Sequence, residues 1–164
     1  MAACALTPAF AQTIQDIDTR QQAVADAWEK TPLSVRRVLF VTEKAPIFGA
    51  YTERQTNKFK AGEPILTYME PVGYTWKPTA DNALQFGVIV DFLVKTSSGQ
   101  VLAGKDAMLN YKVVSRSRLQ EFMVNTSINI NGIKPGDYIL TFTIHDVNDP
   151  SRTTHVDQHF TIVG

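Results

Sequence analysis

Residues 133–146 read IKPGDYILTFTIHD, a turn that leads directly into a strand. Pro135 and Gly136 are typical turn residues, because proline presets φ and glycine tolerates positive φ. After them, apolar residues occupy every second position: Tyr138, Leu140, Phe142 and Ile144. Residues two apart lie on the same face of a strand. The stretch therefore predicts a β-strand with one buried face.

Tyr138 stands at the start of this strand, directly behind the Pro-Gly turn. That position matches the tyrosine corner of Greek-key sandwiches, in which the hydroxyl bonds back to the backbone a few residues upstream. We therefore predict a structural role for Tyr138 rather than a catalytic one.

The same period of two recurs along most of the chain, and turn residues separate the segments. Short connections favour antiparallel pairing, and no helix-length segment intervenes to make parallel crossovers. The predicted strands are 35–42, 48–53, 65–70, 84–94, 107–113, 122–130, 138–144 and 156–162. Of these, 84–94 is apolar on one face and partly apolar on the other, as expected of a central strand. The prediction is an all-β, immunoglobulin-like antiparallel β-sandwich of about eight strands, over residues 33–164.

Two segments also carry a resemblance to a known group of domains. Residues 47–74, IFGAYTERQTNKFKAGEPILTYMEPVGY, together with IKPGDYILTFTIHD, resemble exported bacterial domains of the fibronectin type III-like or immunoglobulin-like kind. The resemblance covers most of residues 35–163. It implies a sandwich with Phe59 as a core anchor, and it supplies no catalytic residues.

Residues 12–32 are predicted to form an N-terminal helix. Thr13 is a capping residue and Pro32 is a stop. Apolar residues at helical spacing form one stripe, Ile14, Ile17, Val24 and Trp28. Such a stripe must be covered, and we expect the sandwich to bury it, with a homodimer contact as the alternative.

The first eleven residues are interpreted as the remnant of a signal peptide. They are uncharged and end in Ala9-Phe10-Ala11, a small-x-small cleavage pattern. A lipoprotein signal with a lipidated Cys4 is the alternative. Cleavage would remove the only cysteine, leaving a sandwich without a disulfide. The expected location is the periplasm or the outside of the cell.

Charge and motifs exclude several function classes. The 16 basic and 16 acidic residues balance, so nucleic acid is not an expected partner. No apolar run approaches the length of a membrane span. Neither a nucleophile elbow nor a phosphate-binding glycine loop is present. We therefore expect a domain that is not an enzyme.

The three histidines lie in the last predicted hairpin. If that hairpin turns about Asp149 and Pro150, His145 falls opposite His155, with Asp157 one step along the same face. Imidazole and carboxylate suit zinc or copper. The sequence thus raises a metal site of His145, His155 and Asp157, and the alternative is a polar outer face without a cofactor.

Aromatic residues crowd the region between Ile65 and Thr79. Tyr68, Tyr74 and Trp76 are of the types enriched at protein and carbohydrate recognition surfaces, but they are also common core anchors. The leading functional hypothesis is a non-catalytic periplasmic or secreted interaction domain that binds a protein or a cell-envelope component. A periplasmic metal-binding protein is the alternative.

Overall fold

The computed structural model describes residues 12–164. The signal-peptide interpretation of Met1 to Ala11, including Cys4, lies outside the described residues. One helix and nine strands follow in chain order: α1 Ile14–Lys30, β1 Ser34–Phe40, β2 Lys58–Lys60, β3 Ile65–Val72, β4 Lys77–Pro78, β5 Leu84–Thr96, β6 Val101–Ser115, β7 Val124–Ile128, β8 Gly136–Asp146 and β9 Thr153–Val163. The described chain is thus mostly β, as predicted.

Two sheets enclose one apolar core, so the arrangement is sandwich-like. The smaller sheet has the order β1-β3-β7, and the larger has the order β2-β9-β8-β5-β4, with β6 paired to the other side of β5. Ile65 and Val124 of the smaller sheet share the core with Val90 and Phe142 of the larger. The central position predicted for residues 84–94 is confirmed, because β5 lies between β6 and β8.

Three details of the strand prediction are wrong. Residues 48–53 form no strand, and only an isolated bridge joins Glu53 to Val41. The structure instead places the short strand β2 at Lys58–Lys60, where Phe59 is buried as the predicted core anchor. β2 also runs parallel to β9, so pairing is not purely antiparallel. β2 and β9 lie about a hundred residues apart in the chain, so no short turn joins them and forces them to be antiparallel.

The predicted tyrosine corner is confirmed. The Tyr138 hydroxyl donates to the Lys134 carbonyl oxygen at 2.8 Å, and the ring is 9% exposed. The ring packs on Phe160 with centroids 5.6 Å apart. The corner thus fixes the entry to β8 through both a hydrogen bond and a ring contact.

Tyr138→Phe should lower the free energy of unfolding by about 1 kcal/mol, because it removes one buried hydrogen bond and keeps the ring. Urea denaturation of both proteins measures the change. Tyr111→Phe is the matched control, since the Tyr111 side chain is 45% exposed. Equal stability of Tyr138→Phe and the unmodified protein would contradict the structural role of the corner.

The helix forms as predicted but is covered differently. Thr13 and Asp16 make a reciprocal capping box, and the Thr31 N–H bonds to the Trp28 carbonyl. The capping N–H and hydroxyl of Thr13 lower the pKa of Asp16. No helix between residues 12 and 164 has the length and apolar character needed to cross a membrane.

Burial of the whole apolar stripe is a wrong prediction. Trp28 is 7% exposed, whereas Ile14, Ile17 and Val24 are 72%, 51% and 48% exposed. The helix is anchored by Trp28 near its C-terminal end, whereas the apolar side chains of its first turns are exposed. The homodimer contact through this helix stays a prediction, for which Ile14 and Ile17 offer an exposed apolar surface.

Candidate functional site

The larger sheet ends in a long strand with a free edge. Among the strands between residues 12 and 164, β6 pairs with β5 alone. In an antiparallel pair, alternate residues direct their N–H and C=O groups away from the partner. β6 therefore presents a row of backbone N–H and C=O groups that pair with no described neighbouring strand on its open side. Its side chains are mostly exposed as well, including Val101, Leu102 and Val114.

A bulge interrupts this edge in the middle. Leu109 pairs with Val90 and Lys105 pairs with Phe92, so three residues of β6 stand opposite Asp91. Ala107 adopts φ +45°, and its N–H donates to Asp91 Oδ1 at 2.7 Å. A bulge of this kind bends and twists the strand locally. The bend separates a five-residue segment, Val101–Lys105, from the rest of β6.

The smaller sheet also ends in a free edge on this side. β7 pairs with β3 alone among the described strands. Two clefts, of about 370 and 350 Å³, lie between β6 and the segment of residues 125–134, which includes most of β7. We call them together the edge groove. Its described lining residues are Lys44, Phe92, Thr96, Leu102, Ala103, Lys105, Met108, Leu109, residues 125–134 and Tyr138.

The chemistry of the edge groove is apolar with a basic margin. Phe92, Met108, Leu109 and Ile133 are partly buried and pack against the main core. The charged residues among the described lining are Lys44, Lys105 and Lys134, and that lining contains no Asp or Glu. A cleft of this composition suits an apolar ligand that also carries negative charge.

Thr126 adds an unusual feature to the groove. It lines the cleft, its side chain is 3% exposed, and its hydroxyl has no hydrogen-bond partner among the described residues. Buried polar groups are nearly always hydrogen-bonded. Because the hydroxyl oxygen itself is inaccessible to solvent, it is an unsatisfied group of the interior beside the cleft, and a ligand in the cleft does not reach it unless the wall shifts.

A third cleft, of about 530 Å³, lies outside the edge groove, between α1 and residues 116–120. It is polar, and one of its arginines is already engaged: Arg118 donates to Gln22 Oε1 and lies 3.8 Å from a Glu29 carboxylate oxygen. These contacts hold the loop of residues 116–120 against the helix. The arginine is therefore already used within the protein, unlike the lysines of the edge groove, which form no ion pair among residues 12–164.

The histidine hairpin has a different register from the predicted one. His145 pairs with Thr153 and His155 pairs with Thr143, so the two histidines are diagonal neighbours rather than directly opposite. The Arg152 N–H bonds to the Asp149 carbonyl across a turn with Pro150 at its second position, and the ladder resumes at Thr153. The predicted His145–His155 pair is therefore wrong, because this turn shifts the register.

The hydrogen bonds of His145 occupy both of its ring nitrogens. Nε2 lies 2.8 Å from Asp91 Oδ2, and Nδ1 lies 3.0 Å from Thr153 Oγ1, which itself donates to the Pro150 carbonyl. Both ring nitrogens of His145 thus already have a protein partner, and a metal ion would have to displace one of these contacts. His145 links β5, β8 and β9.

His155 and Asp157 are the other two predicted ligands, and both are exposed. His155 Nδ1 contacts Thr143 Oγ1 at 3.0 Å, and Asp157 Oδ1 accepts from Thr141 at 2.5 Å. No group of three or more His, Cys, Asp or Glu in residues 12–164 has the geometry of a metal site. The structure thus does not bring the three predicted ligands together, and zinc or copper binding stays a prediction.

Of the three aromatic residues of the predicted binding patch, Tyr74 and Trp76 pack together and Tyr68 lies in a different cluster. Tyr68 is fully buried and packs on Tyr51, whereas Tyr74 is 1% exposed and packs between Trp28 and Phe86. Trp76 is half-buried against Trp28 and Tyr74. The two tyrosines therefore do not offer the exposed rings that the binding hypothesis requires.

Burial also decides the chemistry of these tyrosines. It raises the pKa of the Tyr74 hydroxyl, which donates to the Leu119 carbonyl at 2.8 Å. It raises the pKa of Tyr68 too, and the neighbouring Glu70 carboxylate adds to that rise, while the Gly49 N–H opposes it. Both hydroxyls stay protonated and serve as structural donors.

Comparison with known proteins gives weak structural similarity alone. No family model matches the chain, and no curated protein matches it. Among solved structures, the chain is similar to one described as the crystal structure of the C-terminal domain of wzt. The identity is 16% and the TM-score is 0.49, over 85% of this chain and 86% of that chain. Similarity at this level carries no argument about ligand or activity.

Proposed function

We propose that the chain is a non-catalytic, immunoglobulin-like interaction domain of the periplasm or the cell exterior, and that it binds a protein partner through the edge groove. The observation that carries the proposal is the pair of free strand edges, β6 and β7, which face each other across a cleft lined by apolar and polar side chains. Unpaired edges are normally short, bulged or covered, and β7 is short while β6 is bulged. Both edges nevertheless keep unpaired backbone groups beside a cleft, and such a surface is suited to a partner.

The composition of the groove supports binding rather than catalysis. Its described lining contains no His, Cys, Asp or Glu, which are the residues that most often supply a general base, a general acid or a thiol nucleophile. Its polar groups are amides, hydroxyls and lysines. Export is proposed from the small-x-small pattern before Gln12, and the immunoglobulin-like assignment from the tyrosine corner within a two-sheet core.

Site-specific photo-crosslinking in the organism of origin tests this proposal. A benzophenone amino acid at Ala103, which lines the groove, should give a discrete crosslinked partner. The same probe at the exposed His155, on the outer face of β9, is the matched control and should not give that product. Adding Ile133→Asp, which puts a charge into the groove, should abolish the product made from position 103.

Equal crosslinking from both positions, or none from position 103, would contradict binding at the groove. Metal analysis of the same purified protein addresses the alternative function. Stoichiometric zinc or copper that is lost in a His155→Ala variant would favour metal binding.

A further inference from the structure

We infer that the edge groove accepts an extended, acidic segment of a partner protein as an added β-strand beside β7. The inference rests on the proposed function and specifies its ligand. It names the free edge of β7 and the three groove lysines, Lys44, Lys105 and Lys134, as the groups that recognise the segment.

The shape of the cleft points to a strand as the ligand. Five consecutive residues, 125–129, line one cleft, and the next five, 130–134, line the other. Side chains of successive strand residues point to opposite faces. The first cleft contacts successive residues of β7, so it runs along the strand edge, where the free N–H and C=O groups lie. The second cleft continues along the loop that follows β7. An extended peptide satisfies such groups by strand addition.

The two faces of an added strand would meet different surroundings. Phe92, Met108 and Leu109 form the apolar side of the cleft, and they would contact every second residue of the segment. The residues between them would face away from this apolar side, toward the polar margin that includes Lys44 and Lys105. The segment should thus alternate apolar and polar residues.

Charge selects among such segments. Lys44 and Lys105 line the same cleft as Thr126, and Lys134 lines the adjacent one. With no carboxylate in the described lining, these lysines favour acidic side chains on the segment and disfavour basic ones.

The same lysines disfavour a second copy of this chain as the occupant. A symmetric pairing of two grooves would bring like charges together, and lysine on an edge strand is a common protection against self-association. Protection alone does not require a cleft along the edge. The cleft therefore favours a different chain as the ligand.

Binding of synthetic peptides to the purified protein tests the inference. The probes are a soluble peptide that alternates valine and glutamate, its valine and lysine counterpart, and the glutamate peptide with a central proline. Fluorescence anisotropy gives each Kd, and amide NMR shifts locate the site. We expect the glutamate peptide to bind at least about tenfold more tightly than the lysine peptide at low salt. Proline should weaken binding by a similar factor, because it removes a ladder donor.

Charge-reversal variants of the protein give the decisive comparison. Lys44→Glu combined with Lys105→Glu should reverse the preference, so that the lysine peptide binds more tightly. Lys58→Glu is the matched control, since Lys58 is exposed on β2 at the opposite edge of the larger sheet, and it should leave both Kd values unchanged. The amides of residues 125–129 should show the largest shifts in each bound state.

Equal affinity for the two peptides, or indifference to the central proline, would overturn the inference. So would concentration-dependent dimerisation of the protein alone that shifts the same amides. If crosslinking from position 103 succeeds while these peptides fail, the groove binds a partner by another mode and only this inference is lost. If both fail, the proposed function is lost as well.

Discussion

Trp28→Ala is expected to lower the free energy of unfolding by about 4 kcal/mol, as for other buried tryptophans replaced by alanine. The indole is 7% exposed, contacts Tyr74 at a ring-centroid distance of 5.1 Å, and donates from Nε1 to the Tyr74 carbonyl at 2.9 Å. The substitution therefore opens a cavity and leaves that carbonyl without its partner. Urea denaturation followed by circular dichroism measures the loss.

Ile17→Ala is the control for this prediction, because Ile17 belongs to the same helix and is 51% exposed. Exposed substitutions away from special features usually change stability by less than about 0.5 kcal/mol. If the two variants lose stability equally, the helix is not anchored through Trp28. If Ile17→Ala alone changes the sedimentation behaviour, the helix contacts a second copy, which was the alternative raised from the sequence.

The sequence predicted the strands well where alternation continues over many residues. The confirmed segments include β5 and β8, in which core residues occupy every second position. Tyr138 was also predictable, because its corner depends on a local Pro-Gly turn and a hydrogen bond only four residues away. Local signals of this kind need no knowledge of the rest of the chain.

Features set by distant contacts could not be predicted. β2 has three residues, too few for a period, and exists because it pairs with the end of β9 about a hundred residues later. The burial of Tyr68 and Tyr74 depends on segments from elsewhere in the chain, since Tyr51 packs on Tyr68 and Trp28 packs on Tyr74. Tyrosine is common both on surfaces and in cores. The hairpin register depended on which residues close the turn before Thr153.

The edge groove belongs to the same class. Nothing in residues 101–115 or 124–128 indicates that each strand has one partner, because strand order is a property of the whole sheet. The bulge at Ala107 is equally hidden, since alanine rarely adopts positive φ and is held there by Asp91 from the neighbouring strand. Strand edges that lack a neighbouring strand have no sequence motif.

Gly73→Ala should have an effect comparable to that of Trp28→Ala, a loss of about 3 to 4 kcal/mol. Gly73 has φ +76°, which costs a residue with a Cβ about 1 kcal/mol or more. A Cβ there would also lie 2.4 Å from the Pro32 carbonyl oxygen and 2.7 Å from that of Thr31. Relieving such overlap typically adds up to about 3 kcal/mol. The same denaturation experiment measures the total.

Gly49→Ala separates these two contributions, because Gly49 has the same φ of +76° and no atom within 4 Å of the added Cβ. It should cost only the backbone strain, about 1 kcal/mol. The difference between their losses of unfolding free energy then measures the steric overlap between Gly73 and the end of α1. Arg152 also donates to the Thr31 carbonyl there, at 2.6 Å. Equal losses of stability would mean that the junction between helix and sandwich accommodates the added methyl group without further cost. A larger loss in Gly73→Ala, with a shift in Trp28 fluorescence, would show that this junction is tightly packed and that it holds the helix on the sandwich.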